Sequence, residues 1–158
     1  MQEYLIAFGA NLGDRKYYID KAIEAIRTNC GPILRISALI ETEAMGAADQ
    51  PFLNGALVCA SALVPEDVLQ EMLRIEIELG RTREHRWGNR TIDLDVILWK
   101  DAFGQFPSVK SSTLHIPHPE MQHRLFVLEP AREVAADWIH GELKKSVEEL
   151  LEEKQKSG

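Results

Sequence analysis

An α+β sandwich of βαββαβ order, extended at its C-terminus by further helices, is the fold this sequence predicts. Three observations predict it: short apolar runs alternate with amphipathic stretches, Gly and Pro punctuate the boundaries between them, and the 158 residues are 45% apolar. That length and composition suit one domain, residues 1–158, with a sizeable core and little room for a second.

Each element has a local reason. Residues 3–8 are a short apolar run ending at Gly9, a first strand. Asp14, after Gly13, caps a helix whose Tyr18, Ile19, Ala22, Ile23 and Ile26 recur at helical spacing, and Gly31-Pro32 stops it. Residues 33–42 read as one second strand, 43–51 as a loop, and 52–63 as a long, mostly apolar third strand. Pro65 opens a second helix that Gly80 ends. An arginine-rich loop fills 81–90, and 91–99 form the fourth strand. Residues 100–107 read as a hairpin connection and 111–116 as a further short strand. Pro119 begins a helical stretch, and 143–153 form a last amphipathic, acidic helix that either covers the sheet or engages a partner. This is the order of a ferredoxin-like sandwich.

Composition excludes several function classes. No run approaches the roughly 18 to 20 apolar residues of a membrane span, and the first residues lack the basic and apolar regions of a signal peptide. A soluble, cytoplasmic monomer is expected. Cys30 and Cys59 fit no metal or disulfide pattern, and Cys59 lies in the apolar run GALVCASALV as a buried thiol. With 25 acidic against 18 basic residues the net charge is −7, which argues against nucleic acid as a partner. Yet Arg81, Arg83, Arg86 and Arg90 crowd one short segment, which suits a small anionic ligand.

The strand that follows carries the sharpest chemistry. Side chains alternate, so Ile92, Leu94, Val96 and Leu98 should share one face and Asp93 and Asp95 the other, about 6.5–7 Å apart along the strand. A solvated strand face would produce the same alternation. Beside arginines, however, two carboxylates suit magnesium, which takes one or two carboxylates together with substrate phosphates. Two ions clamping a phosphoryl group would fit there, with the arginines making charge-assisted bonds to phosphate.

Other residues stand out. On the second helix Glu76 falls in the apolar arc with Met72, Leu73 and Leu79. Either it escapes to solvent at the helix end, or it meets an arginine of 81–90 and helps to set that loop's position. Gly80 and Gly88 suit the ends of a closing lid, and Trp87 either packs in the core or closes over a ligand. His115, His118 and His123 have no nearby Cys and no HExxH-type spacing, so zinc is not expected. Pro117-His118-Pro119 holds His118 in a rigid turn suited to a phosphate contact.

The run Arg81-x-Arg83 … Arg86-Trp87-Gly88-Asn89-Arg90-Thr91-Ile92-Asp93-Leu94-Asp95 closely resembles 6-hydroxymethyl-7,8-dihydropterin pyrophosphokinases. Gly9-Ala10-Asn11-Leu12-Gly13-Asp14, Gln50-Pro51-Phe52-Leu53-Asn54, Ile116-Pro117-His118-Pro119-Glu120-Met121 and Arg124-x-Phe126 resemble further motifs of that family, in the same order. The resemblance implies Mg-dependent transfer of pyrophosphate from ATP to the pterin hydroxymethyl group, with AMP leaving. It implies Asp93 and Asp95 as ligands of two Mg2+ ions. Arg81, Arg83, Arg90, His118 and Arg124 would contact ATP, with Arg81, Arg83, Arg90 and Asp95 catalytic. Thr42, Met45, Phe52, Asn54 and Phe126 would bind pterin. The chain departs from the family in having Asn89 and Ala44 where prolines are usual, Ala10 for Ser and Phe52 for Tyr. A binding-only paralogue and an RNA-reading module are the alternatives.

Overall fold

The computed structural model describes residues 1–43, 50–80 and 91–157. Strand β1 (Gln2–Ala10) is the middle of the main sheet, buried from Tyr4 onward because both of its faces are covered. Asp14 caps α1 (Arg15–Asn29) as its spacing predicts, its carboxylate accepting the Tyr17 N–H at 3.1 Å. The predicted second strand is in fact two, β2 (Ile33–Ile36) and β3 (Ile40–Thr42), both paired with β4 (Phe52–Ser61). The break comes at Ser37. Its N–H donates to the Ala56 carbonyl while its Oγ accepts the Ala56 N–H, both at 2.9 Å, so a side chain interrupts the ladder.

After α2 (Pro65–Glu78) the chain returns as β5 (Asp93–Lys100), giving the order β2–β4–β1–β5 with β3 also on β4, every pairing antiparallel. That is the ferredoxin-like arrangement. Two small hairpins follow the main sheet. The first is β6 (Val109–Lys110) with β7 (His115–Ile116), and the second is β8 (Ile139–His140) with β9 (Lys145–Ser146). Between them lie a 3-10 turn (Met121–His123) and α3 (Leu125–Ala135); α4 (Val147–Lys156) ends the fold.

The sheet carries a core on each side. One joins Tyr4, Ile6, Leu57 and Leu94 to Ile19 and Ile26 of α1 and Met72 and Ile75 of α2. The other joins Leu5, Val58 and Leu98 to Leu128 of α3 and Leu150 and Leu151 of α4. The acidic last helix therefore covers the fold's second face, resting on α3. It starts at Val147 because Ser146 and Glu149 form a reciprocal capping box.

One expectation about β5 needs correction. Ile6 pairs with Val96 but Leu5 pairs with Leu98, so Ile97 is an extra residue in the ladder. This bulge turns Leu98 away from Leu94 and Val96 and into the opposite core.

Candidate active site

The α3 side of the sheet is left open at one end, and the register explains what lies there. Asp95 stands opposite Ala7 and Asp93 opposite Gly9, while Gly9 stands opposite Asn54 on its other side. Gly9, flanked by Asn54 and Asp93, and Ala7, flanked by Ala56 and Asp95, are small residues on the central strand and make a trough. It widens into a cavity of about 510 Å3 whose walls include Asp93 and Asp95, Thr42, Phe52 and Asn54, and Arg124 and Phe126.

Part of the cavity wall is aromatic and amide in character. Asn54 is 6% exposed, and its Nδ2 donates to Thr42 Oγ1 at 2.8 Å. The Thr42 hydroxyl therefore orients the carboxamide. Phe126, in the first turn of α3, has the Arg124 guanidinium 5.8 Å from its ring centroid.

Another part is charged. Asp93 and Asp95 are half-buried on the cavity face of β5. The His118 N–H donates to the Ile97 carbonyl at 3.0 Å, which fastens the Pro-His-Pro turn to the bulge. His118 Nδ1 accepts the Glu120 N–H at 3.1 Å. Burial holds its imidazole below the usual range, with Asp95 pulling it upward and Arg124 downward. His118 thus lies near the charged part without lining the cavity, whereas Glu120 and His123 line it. The sequence reading gave neither of those two a place in the site. Glu120 stood within the motif that resembles the family and His123 only among the histidines not expected to bind zinc. Two hard-oxygen carboxylates facing one cavity beside a guanidinium are a donor set that fits Mg2+ joined to a polyphosphate. Arg81, Arg83, Arg86, Trp87 and Arg90 lie outside the described residues, as do Ala44 and Met45.

The N-terminal glycine-rich motif reaches across to β3 and β4. Asn11 Nδ2 donates to the Gln50 carbonyl at 3.3 Å, and Gln50 Nε2 donates to the Gly13 carbonyl at 3.2 Å. Arg15 donates to the Pro51 carbonyl at 2.8 Å and to Glu41 Oε2 at 3.3 Å. These bonds tie the turn to residues next to Thr42 and Phe52. Glu76 does not escape to solvent: it is 3% exposed, and its Oε2 accepts the Leu94 N–H at 2.8 Å. The suggested arginine contact falls outside the described residues.

Comparison with known proteins bears on this geometry. The family model for 7,8-dihydro-6-hydroxymethylpterin-pyrophosphokinase (HPPK) matches residues 5–136. The 2-amino-4-hydroxy-6-hydroxymethyldihydropteridine pyrophosphokinase of Bacillus subtilis (strain 168) is 40% identical over 131 residues, covering 82% of this chain and 75% of that protein. The protein of the same description from Aquifex aeolicus (strain VF5) is 34% identical over 154 residues, covering 97% and 92%. Among solved structures, an HPPK-DHPS in complex with substrates superposes with a TM-score of 0.77 at 12% identity, over 99% of this chain and 44% of that one. Plasmodium falciparum HPPK-DHPS wild type with SDX-DHP gives a TM-score of 0.70 at 13% identity, over 97% and 43%. The chain thus spans less than half of those two solved chains, and the likeness concerns the fold. Among the described residues, no helix is long and apolar enough to cross a membrane.

Proposed function

The chain belongs to the 7,8-dihydro-6-hydroxymethylpterin-pyrophosphokinase family, and on that premise we propose how its residues divide the transfer of pyrophosphate from ATP to 6-hydroxymethyl-7,8-dihydropterin. The reaction releases AMP and belongs to folate biosynthesis. One observation supports the division of roles: a single cavity is lined both by Asn54, Thr42, Phe52 and Phe126 and by Asp93, Asp95 and Arg124, with Asn54 and Asp93 on opposite flanks of Gly9.

The pterin takes the Asn54 flank. Asn54, held by Thr42, offers its amide oxygen and remaining N–H to the ring's edge, and Phe126 and Phe52 stack on or border its face. Met45 adds a contact from the adjoining segment. The hydroxymethyl oxygen then points along the trough over Gly9 and Ala7 toward the carboxylates.

ATP takes the carboxylate flank. Asp93 and Asp95 would hold Mg2+, two ions with ATP, and when bound the metal neutralises phosphate charge as the β-phosphorus is attacked. His118 and Arg124 contact the phosphates from the Pro-His-Pro side, and Arg81, Arg83 and Arg90 do so from their own segment. Because phosphoryl transfer depends mainly on positioning and charge stabilisation, these residues need supply no covalent intermediate. The protein acts as a cytoplasmic monomer and, with a net charge of −7, does not bind nucleic acid.

A coupled AMP-release assay with and without pterin tests this assignment. Asp95→Ala should remove Mg-ATP-dependent turnover while circular dichroism stays unchanged, and Asn54→Ala should raise the pterin KM more than the ATP KM. Substantial turnover by the first variant, or an unchanged pterin KM in the second, would refute the corresponding role.

A further inference from the structure

We propose that Glu76 is a positioning residue for the Asp93–Asp95 pair, acting through the amide of the residue between them. The proposal rests on reading those aspartates as metal ligands, and it adds a residue on a different element, α2. The helix's apolar pattern would place a hydrophobic side chain at position 76 if burial were the only demand. A glutamate stands there instead, 3% exposed. Sealing a carboxylate from water is costly unless it is well hydrogen-bonded, and one bond it makes within the described residues is specific: Oε2 accepts the Leu94 N–H at 2.8 Å.

The topology gives that bond its meaning. Among the described residues β5 is an edge strand of the main sheet, with β1 on one side. Leu94 pairs with Phe8 of β1, and its N–H turns outward to α2, where a buried amide needs an acceptor. An ionised acceptor makes one of the stronger bonds available to an amide. The peptide unit joining Asp93 to Leu94 is planar, so fixing its N–H fixes the plane that sets the Asp93 and Leu94 Cα positions. Asp95 is the next residue, and both carboxylates leave the strand on the face opposite Leu94. Glu76 therefore holds, from beneath, the peptide from which the two candidate ligands project. Groups that orient ligands in this way commonly change metal affinity by about 10–100-fold when removed.

Two variants and three measurements test this. Glu76→Ala removes the acceptor, and Glu76→Gln keeps an acceptor oxygen. In the ligand-free protein, amide hydrogen exchange at Leu94 should accelerate at least about tenfold in Glu76→Ala, relative to amides of β1, and remain slow in Glu76→Gln. Mn2+ binding in the presence of a non-hydrolysable ATP analogue, followed by electron paramagnetic resonance, should weaken about 10–100-fold in Glu76→Ala and stay near wild type in Glu76→Gln. Pterin affinity by calorimetry should not change in either. Unchanged Leu94 exchange, parallel loss of pterin and metal affinity, or equal damage from Gln and Ala would each overturn the proposal. Should Glu76→Ala fail to fold, the Gln variant decides: fast Leu94 exchange with wild-type Mn2+ affinity overturns it, and slow exchange with wild-type affinity supports it. Asp95→Asn binding Mn2+ as well as wild type would instead sink the reading of the aspartates, with the Leu94 exchange result unaffected.

Discussion

Gly9 stands opposite Asn54 in the β1–β4 ladder, and a methyl group built on its Cα would lie 2.6 Å from Asn54 Oδ1. That distance is shorter than any ordinary contact, so the carboxamide lies in space that only glycine leaves free. Gly9→Ala is expected to push Asn54 out of its bond with Thr42. The pterin KM should rise about tenfold or more, while the ATP KM moves little. Steady-state kinetics with each substrate varied in turn checks this.

Arg15 joins the N-terminal turn to the residues next to Thr42 and Phe52, through the Pro51 carbonyl and Glu41. Its side chain is 23% exposed and that of Glu41 is 56% exposed, so the ion pair itself contributes little, about 1 kcal/mol or less. The carbonyl bond is the more consequential one. Arg15→Ala should therefore shift urea unfolding only slightly. It should raise the pterin KM several-fold, because Pro51 and Glu41 adjoin Phe52 and Thr42. A large fall in stability with no change in KM would contradict this.

His140 is 5% exposed, and its Nδ1 accepts the Leu143 N–H at 3.1 Å, a bond that only the deprotonated nitrogen can make. Burial lowers its pKa below the ordinary 6.5, outweighing the upward pull of Glu142. The unfolded chain thus binds the proton more readily than the folded one. The resulting stability is complete above the unfolded value and declines as pH falls below it toward the folded value. Chemical denaturation at pH 7.5 and pH 5 should show a smaller acid loss for His140→Asn than for wild type, since an amide oxygen can accept the same N–H without titrating.

Cys30 and Cys59 are buried free thiols, and burial pushes them up to about 11 and about 12 respectively. Thiolate is the reactive form, so neither should react with Ellman's reagent at pH 8 while the protein is folded. Two equivalents should react in guanidinium chloride. Reaction in the folded state would show that local opening exposes these sites.

Much of this was legible in the sequence. Alternation over residues 91–99 placed Asp93 and Asp95 on one face, and Asp14, Gly31-Pro32 and Pro65 marked the helix boundaries that the fold has. Leu98 was not legible, because its face depends on a bulge that exists only in the register against Leu5 and Ile6. The Ser37 break was hidden for a similar reason, since its cause is a bond to Ala56, 19 residues away. Helical periodicity singled out Glu76 as misplaced but could not name the Leu94 amide as its partner. Glu120 lay inside a motif resembling the family's and His123 among the histidines, but nothing in their spacing showed that the turn before α3 brings them to the cavity.

The fastening of β5 has a consequence for solubility. An uncovered outer strand invites a strand from another molecule to dock on its free backbone groups. Here the Leu94 N–H is taken by Glu76 and the Ile97 carbonyl by the His118 N–H. The bulge at Ile97 further spoils the regular spacing that an incoming strand would need. The bonds that fasten Leu94 and Ile97 thus blunt the sheet's margin against intermolecular growth.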